Sequence, residues 1–195
     1  MSTRLWFVRH GPTHSKAAVG WSDVPADLSD LAALRRLSSY LPVEAKIISS
    51  DLKRASATAD ALQGGRVRLQ NMSALREMNF GDWDGRLFAD IAKSDPETSR
   101  QFWESPGAVA PPNGESWDDL SMRIAAAVDT IITNNGTGDV VIVGHFAAIL
   151  TALQRASGMS AKAAFAFKID NLSVTRLEYL HPVKSWRVHG VNHLP

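Results

Sequence analysis

Short, uninterrupted runs of apolar residues along the chain predict strands that are buried on both faces. Two such runs are Leu5 to Val8 and Val140 to Val143, and a third, from Ala45 to Ser49, has two isoleucines at its centre. The runs are rich in β-branched or aromatic residues and show no alternation of apolar and polar positions. This pattern is typical of parallel strands that are covered by helices on both sides.

Segments with helical periodicity separate these runs. Leucines recur every three to four residues from Leu28 to Leu41, and a second apolar stripe extends from Trp117 to Ile131. Each stripe predicts an amphipathic helix that buries one face. Two more helices are predicted, one over the alanine-rich segment Asp51 to Leu62, with Ser50 as its cap, and one from Phe146 to Ala156.

Proline and glycine are frequent in the segment that precedes the apolar stripe beginning at Trp117. Residues Glu104 to Glu115 contain three prolines and two glycines, so we interpret them as a loop and consider them a candidate lid. Ser116 follows this loop, and Asp119 stands three positions later. That spacing is the pattern of a capping box, which predicts the start of the long helix.

A hairpin is predicted near the end of the chain. Ser173 to Leu180 and Ser185 to Val191 flank the dipeptide that begins at His181, and we expect them to extend the sheet in a partly antiparallel manner. Strands that otherwise alternate with helices predict an α/β fold, a three-layer αβα sandwich with a mainly parallel central sheet. The length of 195 residues predicts a single domain over residues 1–195.

Composition excludes several function classes. The chain contains no cysteine, which excludes disulfides, thiolate metal sites and a cysteine nucleophile. Its 21 basic and 20 acidic residues give a net charge of +1, which argues against nucleic acid and membranes as partners. No apolar stretch approaches the roughly 20 residues of a membrane span, and no signal-peptide pattern precedes the first strand. We therefore expect a soluble, cytoplasmic protein.

Chemically active side chains follow two of the predicted strands. Arg9-His10-Gly11 comes directly after the first apolar run, and Gly144-His145 comes directly after the second long run. Open parallel sheets bind their ligands at the carboxyl ends of the strands. Either histidine alone could be a hydrogen-bonded structural residue, but the two together, with an arginine beside one, indicate a functional site.

Two further candidates have simpler alternatives. Arg54 is predicted in the first turn of a helix, where a guanidinium and the helix N-terminus together bind phosphate. Taken alone, it is better explained as an exposed arginine on a solvated helix. Glu77 begins a segment with several aromatic residues, which would desolvate its carboxyl group and favour its protonated form, as a proton donor requires. The alternative for Glu77 is an ordinary surface turn.

Five sequence elements, in their order along the chain, resemble those of the histidine phosphatase superfamily, the phosphoglycerate mutase-like proteins. They are Arg9 to Thr13, Ser49 to Ala59, Glu77 to Gly85, Gly114 to Ser116 and Val143 to His145. The first element resembles the Arg-His-Gly signature that carries the family's nucleophile. The resemblance extends over nearly the whole chain and implies a phosphoglycerate mutase-like fold.

The resemblance also implies a role for each central residue. His10 would be the nucleophile that forms a phosphohistidine intermediate, since a neutral imidazole is a good nucleophile. Arg9, Arg54 and His145 would surround the phosphoryl group and stabilise its charge. Glu77 would protonate the leaving alkoxide and then activate the water that cleaves the intermediate. No metal or other cofactor is implied.

Three more residues are expected to contact the phosphate or the substrate. Thr13 would add a hydroxyl hydrogen bond, and Lys16 stands where the family commonly has an asparagine. Phe146 follows the second histidine, at a position where the family commonly has a small or polar residue. These departures affect the rim of the site and leave its central residues intact.

The expected function is that of a metal-independent phosphomonoesterase acting on a small phosphorylated metabolite. The segment Phe80 to Gly85 resembles the phosphatase branch of the family more than the mutases that depend on bisphosphoglycerate. The alternatives are a phosphoglycerate mutase-type phosphoryl transfer and a non-catalytic phosphate- or phosphopeptide-binding protein. The sequence does not indicate an oligomeric state or a particular substrate.

Overall fold

The apolar runs form strands of one sheet in the computed structural model, which describes residues 1–195. The six strands are β1 (Ser2–Arg9), β2 (Lys46–Ser49), β3 (Val67–Arg68), β4 (Gly138–Gly144), β5 (Val174–Leu180) and β6 (Ser185–His193). Their order across the sheet is β3-β2-β4-β1-β5-β6. Strands β3, β2, β4 and β1 are parallel to one another. Strand β5 is antiparallel to β1, and it pairs antiparallel with β6 as the predicted hairpin. The prediction of a mainly parallel sheet is confirmed.

Seven α-helices connect and cover the strands. They are α1 (Leu31–Tyr40), α2 (Lys53–Leu62), α3 (Phe88–Ser94), α4 (Pro96–Glu104), α5 (Trp117–Asn135), α6 (Phe146–Ser157) and α7 (Ala161–Ala164). Two 3-10 turns, Ser73–Leu75 and Gly81–Trp83, lie between β3 and α3. The sequence predicted α1, α2, α5 and α6, whereas the short helices α3, α4 and α7 were not predicted. None of the helices combines the length and the apolarity needed to cross a bilayer.

The two faces of the sheet carry separate apolar clusters. On β1, Leu5 and Phe7 pack with side chains from α5 and α6, while Trp6 and Val8 pack with side chains from α1 and α2. Successive residues of a strand point to opposite faces, so one continuous apolar run supplies both clusters. The three-layer αβα sandwich predicted from the sequence is therefore confirmed.

The two predicted helix caps have different outcomes. The Ser116 hydroxyl accepts from Asp119 N at 3.1 Å, and Ser116 N donates to the Asp119 carboxylate at 3.1 Å, so the capping box is present. The prediction that Ser50 caps α2 is wrong. Helix α2 begins only at Lys53, and the Ser50 hydroxyl instead accepts from Leu52 N within the turn that leaves β2.

The loop between α4 and α5 is fastened to the segment around Asn79. Asn79 and Glu115 exchange two hydrogen bonds, from Glu115 N to the Asn79 carbonyl at 2.8 Å and from Asn79 N to the Glu115 carboxylate at 2.9 Å. Asp82 N donates to the Pro112 carbonyl at 2.9 Å. Gly81 lies at this junction with a φ of +51°, which favours glycine. The loop is thus held along its second half by backbone contacts.

We predict that Gly81→Ala lowers the free energy of unfolding by about 3 kcal/mol, combining backbone strain at positive φ with overpacking. A Cβ at this position would overlap the Pro112 carbonyl oxygen and lie 2.5 Å from Gly114 N. Gly85→Ala is the matched control, because Gly85 also has a positive φ (+79°) but has no atom within 4 Å of a built Cβ. Gly85→Ala should lower the free energy of unfolding by only about 1 kcal/mol. Urea denaturation measures both, and equal losses would contradict the tight junction.

Candidate active site

The pairing of β1 with β4 brings the two sequence-predicted histidines together. Arg9, the last residue of β1, is opposite Gly144, the last residue of β4. His10 N then donates to the Gly144 carbonyl at 3.0 Å, and His145 begins the connection to α6. As a result, the His10 and His145 ring centroids are 5.1 Å apart at an interplanar angle of 60°.

The His10 ring is held in one orientation. Its Nδ1 lies 2.7 Å from the Gly11 carbonyl oxygen. Because a carbonyl only accepts, we assign the hydrogen of the neutral ring to Nδ1, which leaves the lone pair on Nε2. Gly11 is itself fixed, since Gly11 N donates to the Thr58 hydroxyl at 3.0 Å, and that hydroxyl donates to the Arg54 carbonyl at 2.6 Å. Nε2 makes no hydrogen bond to the protein.

Arg54 is a buried cation, with a side chain among the largest that are fully enclosed. Its guanidinium donates to the carbonyls of Ser22 at 2.9 Å and Gly20 at 2.6 Å. Burial lowers the pKa of Arg54, and the negative charge of Glu77 opposes that effect. An arginine keeps its charge despite such a shift, because its ordinary pKa is above 12. The alternative of an exposed, solvated Arg54 is therefore wrong.

Arg9 is a second cation in the same region. One of its terminal nitrogens donates to the Ile169 carbonyl at 2.6 Å, and its guanidinium carbon lies 5.4 Å from the centroid of the Phe146 ring. Burial lowers the pKa of Arg9, while the charges of Glu77 and Asp170 oppose the shift. Its Nε is buried without a hydrogen-bond partner in the protein, so this donor is free to bind an anion.

Both histidines are neutral in the folded protein. Burial is the largest cause that lowers the pKa of His10 to about 3, and the nearby charges of Arg54 and Arg9 lower it further. Burial also holds the pKa of His145 well below its ordinary value, and the charges on its neighbours add to this effect. Both ring nitrogens of His145 lack a partner in the protein. A neutral ring carries one N–H, which an anion bound at this position would accept.

Glu77 is the acidic group at the site, and its side chain is buried beside α6. The carboxylate accepts hydrogen bonds from Met78 N at 2.9 Å and from Ala147 N at 3.1 Å. Ala147 belongs to the first turn of α6, whose free N–H groups attract negative charge. The Glu77 carbonyl is fixed as well, because Trp21 Nε1 donates to it at 2.8 Å.

An ion pair that sequence reasoning missed supports the Glu77 segment. Arg123 on α5 makes a two-pronged contact with the Glu115 carboxylate, at 2.7 and 2.6 Å. The same guanidinium donates to the carbonyls of Ala74, Arg76 and Glu77 at 2.9 to 3.1 Å. The sequence resemblance included Glu115, but no local pattern along the helix shows that Arg123, the single basic residue of α5, reaches that carboxylate.

The predicted residues surround one cleft of about 290 Å³. Seven of them line it directly: Arg9, His10, Thr13, Lys16, Arg54, Glu77 and Phe146. His145, the eighth, is fully buried next to His10 at the floor of the cleft. The structure therefore brings all the sequence-predicted site residues to one place, although Thr13 and Lys16 make no side-chain hydrogen bond there.

Several residues of the cleft were not predicted from the sequence. Its outer part is lined by Phe88 of α3, Trp103 of α4 and Phe165, which follows α7. The isolated aromatic residues of short helices carry no periodic signal. The loop of residues 105–116 contributes no side chain to the cleft. The loop, considered a candidate lid, is fastened to the Asn79 segment.

Comparisons with known proteins agree with this site. Residues 5–193 match the family model of the histidine phosphatase superfamily (branch 1). The adenosylcobalamin/alpha-ribazole phosphatase of Salmonella typhimurium is 27% identical over 174 residues, which cover 86% of each chain. The bifunctional protein Rv2228c of Mycobacterium tuberculosis is 30% identical over 91% of this chain, which spans about half (50%) of that relative's length.

A solved structure shows the same architecture. YhfR from Bacillus stearothermophilus superposes with a TM-score of 0.90 and 28% sequence identity, and the superposition covers 99% of this chain and 98% of that one. The family model spans nearly the whole sequence. The chain therefore belongs to the histidine phosphatase superfamily.

Proposed function

We propose that residues 1–195 form one catalytic domain that hydrolyses a small phosphate monoester without a metal ion, through a phosphohistidine on His10. The observation that carries this proposal is the state of the His10 ring. Its Nδ1 is engaged by the Gly11 carbonyl, while its Nε2 makes no hydrogen bond within the protein and shares the cleft with the guanidinium groups of Arg9 and Arg54. A protein that only binds phosphate needs the cations, but it does not need an oriented nucleophilic nitrogen among them.

The first step is binding of the phosphoryl group at the floor of the cleft. Arg9 and Arg54 supply positive charge there, and both are held by backbone carbonyls before the substrate arrives. His145 donates its single N–H to a phosphoryl oxygen. Preorganised donors of this kind stabilise charge that develops in the transition state, and they act most strongly where water is excluded.

The second step transfers the phosphoryl group to the protein. The lone pair on His10 Nε2 attacks phosphorus, and the bond between phosphorus and the ester oxygen breaks as the new N–P bond forms. Glu77, in its protonated form, gives its proton to the departing alkoxide. Arg9 and Arg54 remain in contact with the equatorial oxygens throughout, which stabilises the charge spread over them.

The third step restores the free enzyme. Glu77, now a carboxylate, takes a proton from a water molecule whose oxygen attacks phosphorus. The N–P bond breaks, inorganic phosphate forms, and His10 returns to its neutral state. Hydrolysis of this kind is supported by the similarity to an adenosylcobalamin/alpha-ribazole phosphatase and by the phosphatase-like segment Phe80 to Gly85. A mutase would return the phosphoryl group to a second alcohol instead of water.

We predict that His10→Asn abolishes release of phosphate from p-nitrophenyl phosphate, with a loss of at least about 10³-fold, because the nucleophile is removed. The wild type should form an acid-labile phosphoryl adduct that intact-mass measurement detects, and the variant should form none. Addition of EDTA should leave the wild-type rate unchanged. His14→Ala is the matched control, since His14 is an exposed histidine of the same loop. A folded His10→Asn variant with near-normal turnover would contradict the mechanism.

A second prediction concerns the proton donor. Glu77→Gln should lower kcat/KM about 10²-fold or more for an alkyl phosphate, whose leaving group needs protonation. For p-nitrophenyl phosphate the loss should be less than about tenfold, because nitrophenolate leaves without a proton. The measurement uses kcat/KM, which reports the steps up to formation of the phosphohistidine. Equal losses on the two substrates would contradict the assignment of Glu77 as the acid.

A third prediction follows from the buried neutral state of His10. The pKa of His10 falls from 6.5 to about 3 on folding, so below about pH 6.5 the unfolded chain binds a proton that the folded protein does not. The free energy of unfolding should therefore fall on acidification through this range, by up to about 1.4 kcal/mol per pH unit from this residue. Urea denaturation of His10→Asn between about pH 6 and pH 4.5 should show a shallower slope than the wild type. Identical slopes would contradict the lowered pKa of His10.

A further inference from the structure

Aromatic side chains form one continuous side of the cleft. We name this surface the aromatic wall and define it by Phe88, Trp103, Phe146 and Phe165. The Phe88 and Trp103 ring centroids are 5.6 Å apart, and those of Trp103 and Phe165 are 6.1 Å apart, both in edge-to-face contact. Phe146 lies next to the floor, under the guanidinium of Arg9.

Buried aromatic residues hold the wall from behind. Phe102, the neighbour of Trp103 on α4, is buried and packs edge-on against Trp83, with centroids 5.5 Å apart. Phe165 packs against the buried Trp117 at 4.5 Å. The rings of the wall are therefore set in place before a ligand arrives, which reduces the entropy that binding would cost.

Two rings of the wall are exposed to solvent. Phe88 is 46% exposed and Trp103 is 38% exposed, although Trp103 lies in edge-to-face contact with the buried Phe102. Aromatic side chains contribute strongly to stability when they are buried, and a continuous exposed apolar patch often marks a ligand site. Water in contact with these rings is released when an apolar group covers them, which favours binding of such a group.

Charged groups are confined to the other parts of the cleft. Arg9, Arg54 and Glu77 lie at the floor, and Lys16 comes from the loop after β1. The wall itself offers only one polar atom, the indole N–H of Trp103. The hydroxyl groups of a sugar would lose water there without gaining partners, which disfavours binding. A second phosphate on the substrate would find one further cation beyond the floor, the exposed Lys16, beside the hydroxyls of Thr13 and Ser15.

We propose that the leaving group of the natural substrate is a flat, apolar, ring-containing group that packs on the aromatic wall. The substrate class is thus an aromatic or arylalkyl phosphate monoester, and not a sugar phosphate or a bisphosphate. Ring-on-ring contacts in offset or edge-to-face geometry stabilise such a complex beyond the area that is buried. The inference rests on the proposed phosphatase function and specifies what the same site accepts.

The test compares phosphates of primary alcohols, so that the basicity of the leaving groups stays similar. The wild type is assayed with four substrates: ethyl phosphate, decahydronaphthylmethyl phosphate, naphthylmethyl phosphate and glucose 6-phosphate. We expect kcat/KM for naphthylmethyl phosphate to exceed that for ethyl phosphate by about tenfold or more, and to exceed that for the decahydronaphthylmethyl ester, which has the same carbon skeleton but is not planar. The kcat/KM for glucose 6-phosphate should not exceed that for ethyl phosphate.

Variants of the wall assign the preference to its residues. Trp103→Ala and Phe88→Ala, on two different helices, should each lower the ratio of kcat/KM for naphthylmethyl to ethyl phosphate by about tenfold. Tyr40→Ala is the matched control, because Tyr40 is also 38% exposed but lies outside the cleft. It should leave the ratio unchanged. Competitive inhibition by inorganic phosphate shows that the floor of each variant is still folded.

The outcomes separate this inference from the function on which it rests. Faster turnover of glucose 6-phosphate than of naphthylmethyl phosphate would overturn the aromatic substrate class and leave the phosphatase function standing. Equal kcat/KM for the naphthylmethyl and decahydronaphthylmethyl esters would likewise overturn it, as would an unchanged ratio in both wall variants. Failure of the wild type to hydrolyse any ester, with no phosphoryl adduct on His10, would instead overturn the proposed function.

Discussion

The parallel pairing of β1 with β4 is the constraint on which the rest of the site depends. It sets Arg9 opposite Gly144, and the hydrogen bond from His10 N to the Gly144 carbonyl continues that register past the strand ends. If the pairing register moved by one residue, each apolar side chain of β1 would point to the opposite face of the sheet, away from the apolar cluster to which it belongs. The same register that forms the core therefore fixes the 5.1 Å separation of the His10 and His145 rings.

Burial of charge at this sheet edge is costly, and the structure offsets the cost with backbone groups. Carbonyls of Gly20, Ser22 and Ile169 accept from the guanidinium groups of Arg54 and Arg9. Burial away from water keeps the two histidines neutral, and the positive charges of Arg9 and Arg54 add to this effect. A floor that is cationic, dry and already organised is suited to a phosphoryl group, because none of its donors must reorient during transfer.

The floor and the aromatic wall are held by different contacts. Arg123 and Glu115 bind the segment that carries Glu77, and the loop after α4 is fastened to the same segment. The wall depends on separate aromatic packing, in which Trp103 lies next to the buried Phe102.

The sequence by itself determined the central strands, the longer helices and the residues of the floor, because these features have local signals. A buried strand is a short apolar run, and a residue that follows such a strand lies at the ligand-binding edge of the sheet. Tertiary structure alone decided that Arg54 is buried, that Ser50 does not cap α2, and that the loop of residues 105–116 is fastened away from the cleft. The tertiary structure also decided which aromatic side chains come together as the aromatic wall. Each of these features depends on contacts between residues that are distant in the chain, and no periodic pattern along the sequence records such contacts.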